Sequence, residues 1–193
     1  MKKILLVLLF VPCIAFGQKW SSTQINKANQ GEHVNYLTDI EKETILYINL
    51  ARLYPKDFVK NELREYSGPA GYISIEESPY KKSLIKHLES ASSIHALYFD
   101  ESLYLSAKCF AEEQGRLGKT GHDRVNCKKN NTAECISYGM RTGKEIVMQL
   151  LIDRDVPSLG HRKICLDSKY NKIGLSVSSH IKYETCAVLE IIW

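Results

Sequence analysis

The chain has 193 residues, a formal net charge of +4 and 44% hydrophobic residues. At roughly 100 to 200 residues per domain, this length predicts one domain with a sizeable buried core. A charge this close to neutral, without a basic stripe or a motif that combines basic and aromatic residues, argues against nucleic-acid binding.

The first residues have the pattern of a secretory signal peptide. Lys2 and Lys3 precede the apolar run from Ile4 to Phe16, and the small residue Gly17 follows. The apolar run is too short to cross a bilayer, and no second run of membrane-spanning length follows it. We therefore expect a signal peptide at residues 1–17, a secreted or periplasmic location, and no transmembrane segment in the mature chain.

The next segment, residues 18–37, is polar and has neither a helical nor a strand period, so we expect a flexible segment that leads into the domain. Thr38 and Glu41 then match a capping box at the start of a helix, and Pro55 ends that helix. Arg52 lies near its end. This arginine either covers an acidic group in the core or is simply solvated.

The middle of the chain predicts two further helices. A loop rich in glycine and proline at residues 67–79 precedes a short basic helix at residues 80–88. Asp100 can cap the following helix, whose apolar residues fall on one stripe and which Gly115 and Gly118 end.

The C-terminal part predicts one helix and two strands. Thr142 and Glu145 match a second capping box, and Pro157 stops the helix that follows. Residues 173–177 and 187–192 are apolar and rich in β-branched side chains, so we expect them to form two paired strands.

Five cysteines remain after removal of the signal peptide, and an exported protein meets conditions in which disulfides form. The odd number leaves at least one thiol unpaired or intermolecular. Cys165 and Cys186 flank the two predicted strands, so antiparallel pairing predicts a disulfide between them. Cys127 and Cys135 are the next pair, which would leave Cys109 as the free thiol.

Two histidines and two carboxylates recur within residues 120–162. They are His122, Glu134, Asp153 and His161, each beside a glycine, a strand-like run or the end of a predicted helix. Imidazole nitrogens and carboxylate oxygens are ligands of zinc and similar divalent ions, so the cluster predicts a metal site or a hydrogen-bonded proton relay. The alternative is that these pairs only tie helices to a sheet.

The motifs of several enzyme classes are missing from the sequence. It contains no His-Glu-x-x-His pair of a zinc peptidase and no Gly-x-Ser-x-Gly elbow of a serine hydrolase, and its cysteines lack a nucleophile context. The catalytic hypothesis that remains is a metal-dependent hydrolase or peptidase. In that case Glu134 or Asp153 would act as general base for a metal-bound water.

Several separated segments also match a known pattern in the right order. These segments are Asn49-Leu50-Ala51-Arg52, Thr120-Gly121-His122, Ala133-Glu134-Cys135-Ile136, Gly160-His161-Arg162-Lys163-Ile164 and Tyr170-Asn171-Lys172-Ile173-Gly174-Leu175. Together they resemble the CAP superfamily, which includes cysteine-rich secretory proteins, venom allergens, plant pathogenesis-related proteins and many bacterial exported proteins.

The resemblance implies an α+β fold, a three-layer α-β-α sandwich with a small antiparallel sheet, over residues 38–193. By motif, His122 and His161 match the two family histidines, Glu134 matches the first acid, and Asp153 lies where a second glutamate is common. The resemblance further implies binding of zinc or another divalent cation, and in some branches of a sterol or lipid, without implying a reaction. We therefore expect a secreted, non-enzymatic module with a small-molecule or lipid ligand. A hydrolase or peptidase, and a purely structural or interaction domain, are the alternatives.

Overall fold

The computed structural model describes residues 19–193, so the signal peptide predicted at residues 1–17 lies outside the described residues. The helices are α1 (Ser22–Ala28), α2 (Asp39–Leu53), α3 (Pro55–Phe58), α4 (Pro79–Ser90), α5 (Glu101–Leu117), α6 (Gly143–Ile152) and α7 (Gly160–Cys165), and a π-helical turn (Val59–Leu63) follows α3. The strands are β1 (Tyr98–Phe99), β2 (Ala133–Tyr138), β3 (Lys172–His180) and β4 (Glu184–Ile192). Within residues 19–193, no helix is long and apolar enough to span a membrane.

The strands form one sheet in the order β1-β3-β4-β2. β3 and β4 are an antiparallel hairpin, as predicted, and β2 pairs antiparallel with β4. The α+β class is confirmed. The sheet is mixed rather than wholly antiparallel, because the short strand β1 pairs parallel with β3. This order makes β2 an edge of the sheet.

Helix α5 covers one face of the sheet, while α2 and α6 lie over the other face. Phe110 of α5 packs in one cluster with Cys186 and Val188 of β4. Ala187 and Leu189 alternate with them along the strand and belong to the larger core cluster on the opposite face. The three layers are therefore helix, sheet and helices.

Helix α5 lies directly on β3. A Cβ atom at Gly174 would be 2.1 Å from the backbone nitrogen of Tyr104, and one at Gly115 would be 1.9 Å from the carbonyl oxygen of Ser179. Gly115 therefore allows α5 to pack closely against β3 and does not end the helix. The helix ends at Gly118, which has the left-handed conformation with a φ of 61°.

The predicted helix starts are confirmed at three positions. Thr38 and Thr142 form capping boxes with Glu41 and Glu145. Asp100 accepts hydrogen bonds from two backbone N–H groups at the start of α5. Each of these caps depends on residues two or three positions apart, which is why local sequence was enough to find them.

The segment before residue 38 is more ordered than the sequence predicted. Ser21 forms a capping box with Gln24 at the start of the seven-residue helix α1. Trp20 is buried, and its indole N–H donates to Glu62 at 2.7 Å. A helix of two turns is too short to show a clear hydrophobic period, and it is held here by this anchor rather than by its own propensity.

Arg52 is buried, and neither of the two roles expected for it is correct. Its guanidinium donates to backbone carbonyl oxygens, with 2.7 Å to Cys165, 2.8 Å to Tyr170 and 3.0 Å to His95. Burial lowers the pKa of Arg52 to about 10. The Arg52 side chain therefore ties α2 to the chain around the C-terminus of α7. Its hydrogen-bond acceptors are backbone carbonyl oxygens rather than a carboxylate.

The disulfide predictions are wrong. The structure bridges Cys109 to Cys127, and within residues 19–193 Cys135, Cys165 and Cys186 form no disulfide. Cys186 points to the α5 face of the sheet, whereas Cys165 on α7 belongs to the core on the opposite face. The two thiols that were predicted to form a disulfide therefore lie on opposite faces of the sheet.

Candidate functional site

His122 lies in the loop after α5, and its imidazole meets Glu134 of β2. The Nδ1 atom is 2.7 Å from Glu134 Oε1. Gly121 has a φ of 91°, which favours glycine, and its backbone N–H donates to the Tyr138 hydroxyl at 3.0 Å. The His122 side chain is 59% exposed and that of Glu134 is 4% exposed. A buried carboxylate thus holds an imidazole at the protein surface.

A buried arginine holds Glu134 from the other side. Arg124 donates from Nη2 to Glu134 Oε2 and, at 2.8 Å, to Glu190 Oε1. Glu134 and Glu190 are directly opposite on β2 and β4, so their side chains share one face of the sheet. The Arg124 side chain is 8% exposed and that of Glu190 is fully buried. One guanidinium therefore lies between two buried carboxylates.

Sequence reasoning missed Arg124 and Glu190. Arg124 is two residues after a predicted site histidine, but its burial depends on contacts with β2 and β4 that are distant in sequence. Glu190 interrupts an apolar strand, and a charged residue at such a position could have indicated a buried ion pair. Only the register of β2 against β4, which the sequence does not give, places it beside Glu134.

The second histidine has an equivalent partner on the other side of the site. Asp153 ends α6 in the left-handed conformation with a φ of 54°, and its Oδ1 is 2.7 Å from His161 Nδ1. Its Oδ2 accepts from the backbone N–H groups of His161 at 3.0 Å and Arg162 at 3.3 Å. Leu159 precedes α7 and offers no side-chain cap, so Asp153 caps the helix that carries His161.

Arg162 fixes α7 against the end of α6. Its guanidinium donates to the carbonyl oxygens of Leu151 at 2.7 Å and Ile152 at 2.9 Å, which are the free acceptors at the C-terminus of α6. Burial lowers the pKa of Arg162. The histidine is therefore held by helix ends rather than by a mobile loop.

Both histidines line one cavity of about 630 Å³ at the β2 edge of the sheet. Asp153 also lines this cavity. Among the described residues, Glu134 is not part of the cavity lining. The remaining lining is largely apolar and includes Ile73, Ile75, Ile136, Met140, Leu150, Ile152 and Val156. The loop before α4 closes one side, where the Tyr72 hydroxyl donates to the Gly139 carbonyl oxygen at 3.2 Å.

A zinc ion in a protein usually has four ligands, so several donor groups must meet at one point. Within residues 19–193, no group of three or more histidine, cysteine, aspartate and glutamate side chains is arranged to hold a metal ion. Each histidine Nδ1 is engaged by its carboxylate, and neither Nε2 has a hydrogen-bond partner in the described chain. Carboxylates in this position orient metal-binding histidines from outside the coordination shell. Each imidazole therefore keeps its Nε2 free of a protein partner in the described residues, and zinc binding through all four predicted residues stays a prediction.

Cys135 follows Glu134 on β2 and lies against the other half of the site. Its Sγ is 3.9 Å from the carbonyl oxygen of His161. Contact with the Cys165 thiol and complete burial raise the pKa of Cys135 well above its ordinary value. At neutral pH Cys135 is therefore a protonated, apolar part of the core.

Comparison with known proteins gives one family and one structural neighbour of note. No curated protein matches the chain. An outer surface protein from Borrelia burgdorferi has a similar solved structure, with 20% sequence identity and a TM-score of 0.42, covering 62% of this chain and 94% of that one. This similarity is too low to carry an argument.

The family comparison is decisive, because its match spans most of the chain. The matching family is described as CAP, the cysteine-rich secretory protein family, and the match covers residues 46–189. That range runs from α2 to β4 and includes both histidines, Glu134 and Asp153. The chain therefore belongs to the CAP family.

Proposed function

We propose that the cavity binds a small amphiphilic ligand, with a divalent cation such as zinc at the two histidines holding the polar end of that ligand. The observation that carries the proposal is one largely apolar cavity lined by both imidazoles. The signal-peptide pattern at residues 1–17 supports export of the protein that carries this cavity.

The imidazole arrangement supports the cation. His122 and His161 each have Nδ1 held at 2.7 Å by a carboxylate, which fixes the ring and leaves Nε2 for an ion. Zinc in proteins usually has four ligands, so two imidazoles would leave positions for water or for the polar group of a ligand. A bound zinc ion would supply the positive charge that holds an anionic head group.

The cavity supports the amphiphile. A volume of about 630 Å³ lies within the range of roughly 300 to 1,000 Å³ that is usual for small-molecule sites. Apolar side chains from β2, α6 and the loop before α4 form most of the wall, so the body of the ligand would be apolar. His122, His161 and Asp153 are among the polar lining groups that would fix its orientation.

The carboxylates favour binding over catalysis. Both oxygens of Asp153 accept hydrogen bonds from α7, and both oxygens of Glu134 are engaged by His122, Arg124 and Asn131. A general base needs an oxygen that can reach the proton of a bound water. Both acids are better suited to orienting the imidazoles.

Zinc titration by calorimetry tests the cation half of the proposal. We expect one site in the wild type, its loss in the His122→Ala, His161→Ala double variant, and its retention in His33→Ala, which removes an exposed histidine outside the cavity. Circular dichroism of each variant checks the fold. Equal zinc binding by all three proteins would contradict the proposal.

A fluorescent single-chain fatty acid tests the amphiphile half. Ile73 lines the cavity and is 78% exposed, so Ile73→Asp can spoil the wall without disturbing the core. We expect the affinity to fall about 10- to 100-fold, since burial of an isoleucine side chain contributes about 1.5–3 kcal/mol. Ile181→Asp is the matched control, because Ile181 is 72% exposed and lies outside this cavity. The same loss in both variants, or in neither, would count against this cavity as the site.

A further inference from the structure

Three cysteines of residues 19–193 form no disulfide, and the sheet divides them into two groups. Cys186 is on the α5 face, in one cluster with Phe110. Cys135 and Cys165 both belong to the core on the opposite face. Side chains alternate along a strand, and Cys135 is opposite Leu189 while Cys186 is opposite Tyr138, so the register of β2 and β4 enforces this separation.

Cys135 and Cys165 are direct neighbours. Helix α7 packs against β2, and the Cys135 and Cys165 side chains belong to the same core cluster. The Cys135 sulfur is also 3.9 Å from the carbonyl oxygen of His161, one helical turn before Cys165. Both thiols are buried. Of the three cysteines, these two lie on the same face of the sheet and in the same part of the core.

We propose that Cys135 and Cys165 are a second disulfide site, which forms when the protein folds in the presence of a disulfide oxidant. The bond would join β2, the strand of Glu134, to α7, the helix of His161. It would therefore fix the two histidine–carboxylate halves of the cavity relative to each other. With Cys109–Cys127 already bridged, Cys186 becomes the single free thiol of the described chain.

The reaction is thiol–disulfide exchange, with oxidised glutathione as the oxidant in the test. One protein thiolate attacks the glutathione disulfide, forms a mixed disulfide and releases one reduced glutathione. The second protein thiolate then attacks the protein sulfur of the mixed disulfide and releases the other. Two protein thiols thus give one disulfide, while oxidised glutathione takes up the two electrons and two protons. Because both sulfurs are buried, exchange takes place during folding.

The test is to denature and reduce the purified protein, refold it in a buffer of oxidised and reduced glutathione, alkylate it under denaturing conditions and map the peptides. We expect Cys135 linked to Cys165, Cys109 linked to Cys127, and Cys186 alkylated. Cys165→Ala should leave Cys135 alkylated, whereas the matched control Cys186→Ala should leave both links in place. Alkylation of both Cys135 and Cys165 in the wild type, a link from either to Cys186, or glutathione retained on both would overturn the proposal.

A second measurement distinguishes the effect of the disulfide bond on stability from the effect of packing the two sulfur atoms. The melting temperature is compared between oxidising and reducing refolding, in the wild type and in Cys165→Ala. Because Cys109–Cys127 contributes equally to both proteins, the difference between them reports the new bond. We expect oxidation to raise Tm about 5–10 °C more in the wild type. Equal rises in Tm would contradict a stabilising bond between Cys135 and Cys165. Neither readout depends on ligand or metal, so a failure here is distinct from a failure of the proposed cavity function.

Discussion

Asp153 ends one helix and starts the next while holding the imidazole of His161 at 2.7 Å. Its second oxygen accepts the backbone N–H groups at the start of α7, so one buried carboxylate fixes both the helix and the ring it carries. His122 has no comparable helix and depends on the loop after α5. The two halves of the site therefore differ in rigidity, although each pairs an imidazole with an acid.

We expect Asp153→Asn to lower the free energy of unfolding by about 1.5–3 kcal/mol. Asparagine tolerates the left-handed backbone at this position, so the change removes the charge without adding strain. The loss is that of charge-assisted hydrogen bonds to His161 and the start of α7. Urea denaturation at neutral pH measures it.

Asp155 provides the matched control for this substitution. It also has the left-handed conformation, with a φ of 63°, but its side chain is exposed. Asp155→Asn should change the stability by no more than about 0.5 kcal/mol. Similar losses at both positions would mean that the left-handed turn, rather than the bonds to α7, determines the effect.

We expect Arg124→Met to destabilise the protein by about 3–5 kcal/mol at neutral pH. Methionine can keep the packing of Arg124 over the Phe110 ring, but it leaves Glu134 and Glu190 buried side by side without a cation. Chemical denaturation at neutral pH measures this loss.

Two further variants sharpen the test of Arg124. Arg141→Met removes an exposed arginine that pairs with exposed Glu184, and it should cost at most about 1 kcal/mol. Adding Glu190→Gln to Arg124→Met should restore part of the lost stability, because it removes one of the two uncompensated charges. A double variant no more stable than the single one would argue against charge as the cause.

The sequence predicted those features that depend on neighbouring residues. The capping boxes at Thr38 and Thr142 and the hairpin strands are of this kind. The disulfide prediction was wrong because it depended on which face of the sheet Cys186 occupies, and pairing register decides that. Arg124 was missed for a related reason, since its acceptors come from two strands that only the fold brings together.

The last prediction concerns pH and zinc together. Protons compete with a metal ion for imidazole nitrogen, and unperturbed histidine side chains titrate near pH 6.5. If His122 and His161 both bind the ion through Nε2, its affinity should fall from about pH 7.5 to 5.5 more steeply than one proton allows, approaching 100-fold per pH unit at the acidic end. His122→Ala should lower the zinc affinity and reduce its pH slope to that of one histidine.

Calorimetric titrations at several pH values measure both the affinity and the slope. A zinc affinity that is constant over this range, or unchanged in the His122→Ala, His161→Ala variant, would exclude a shared histidine site and leave the two pairs with the structural role of tying the helix and the loop to the sheet.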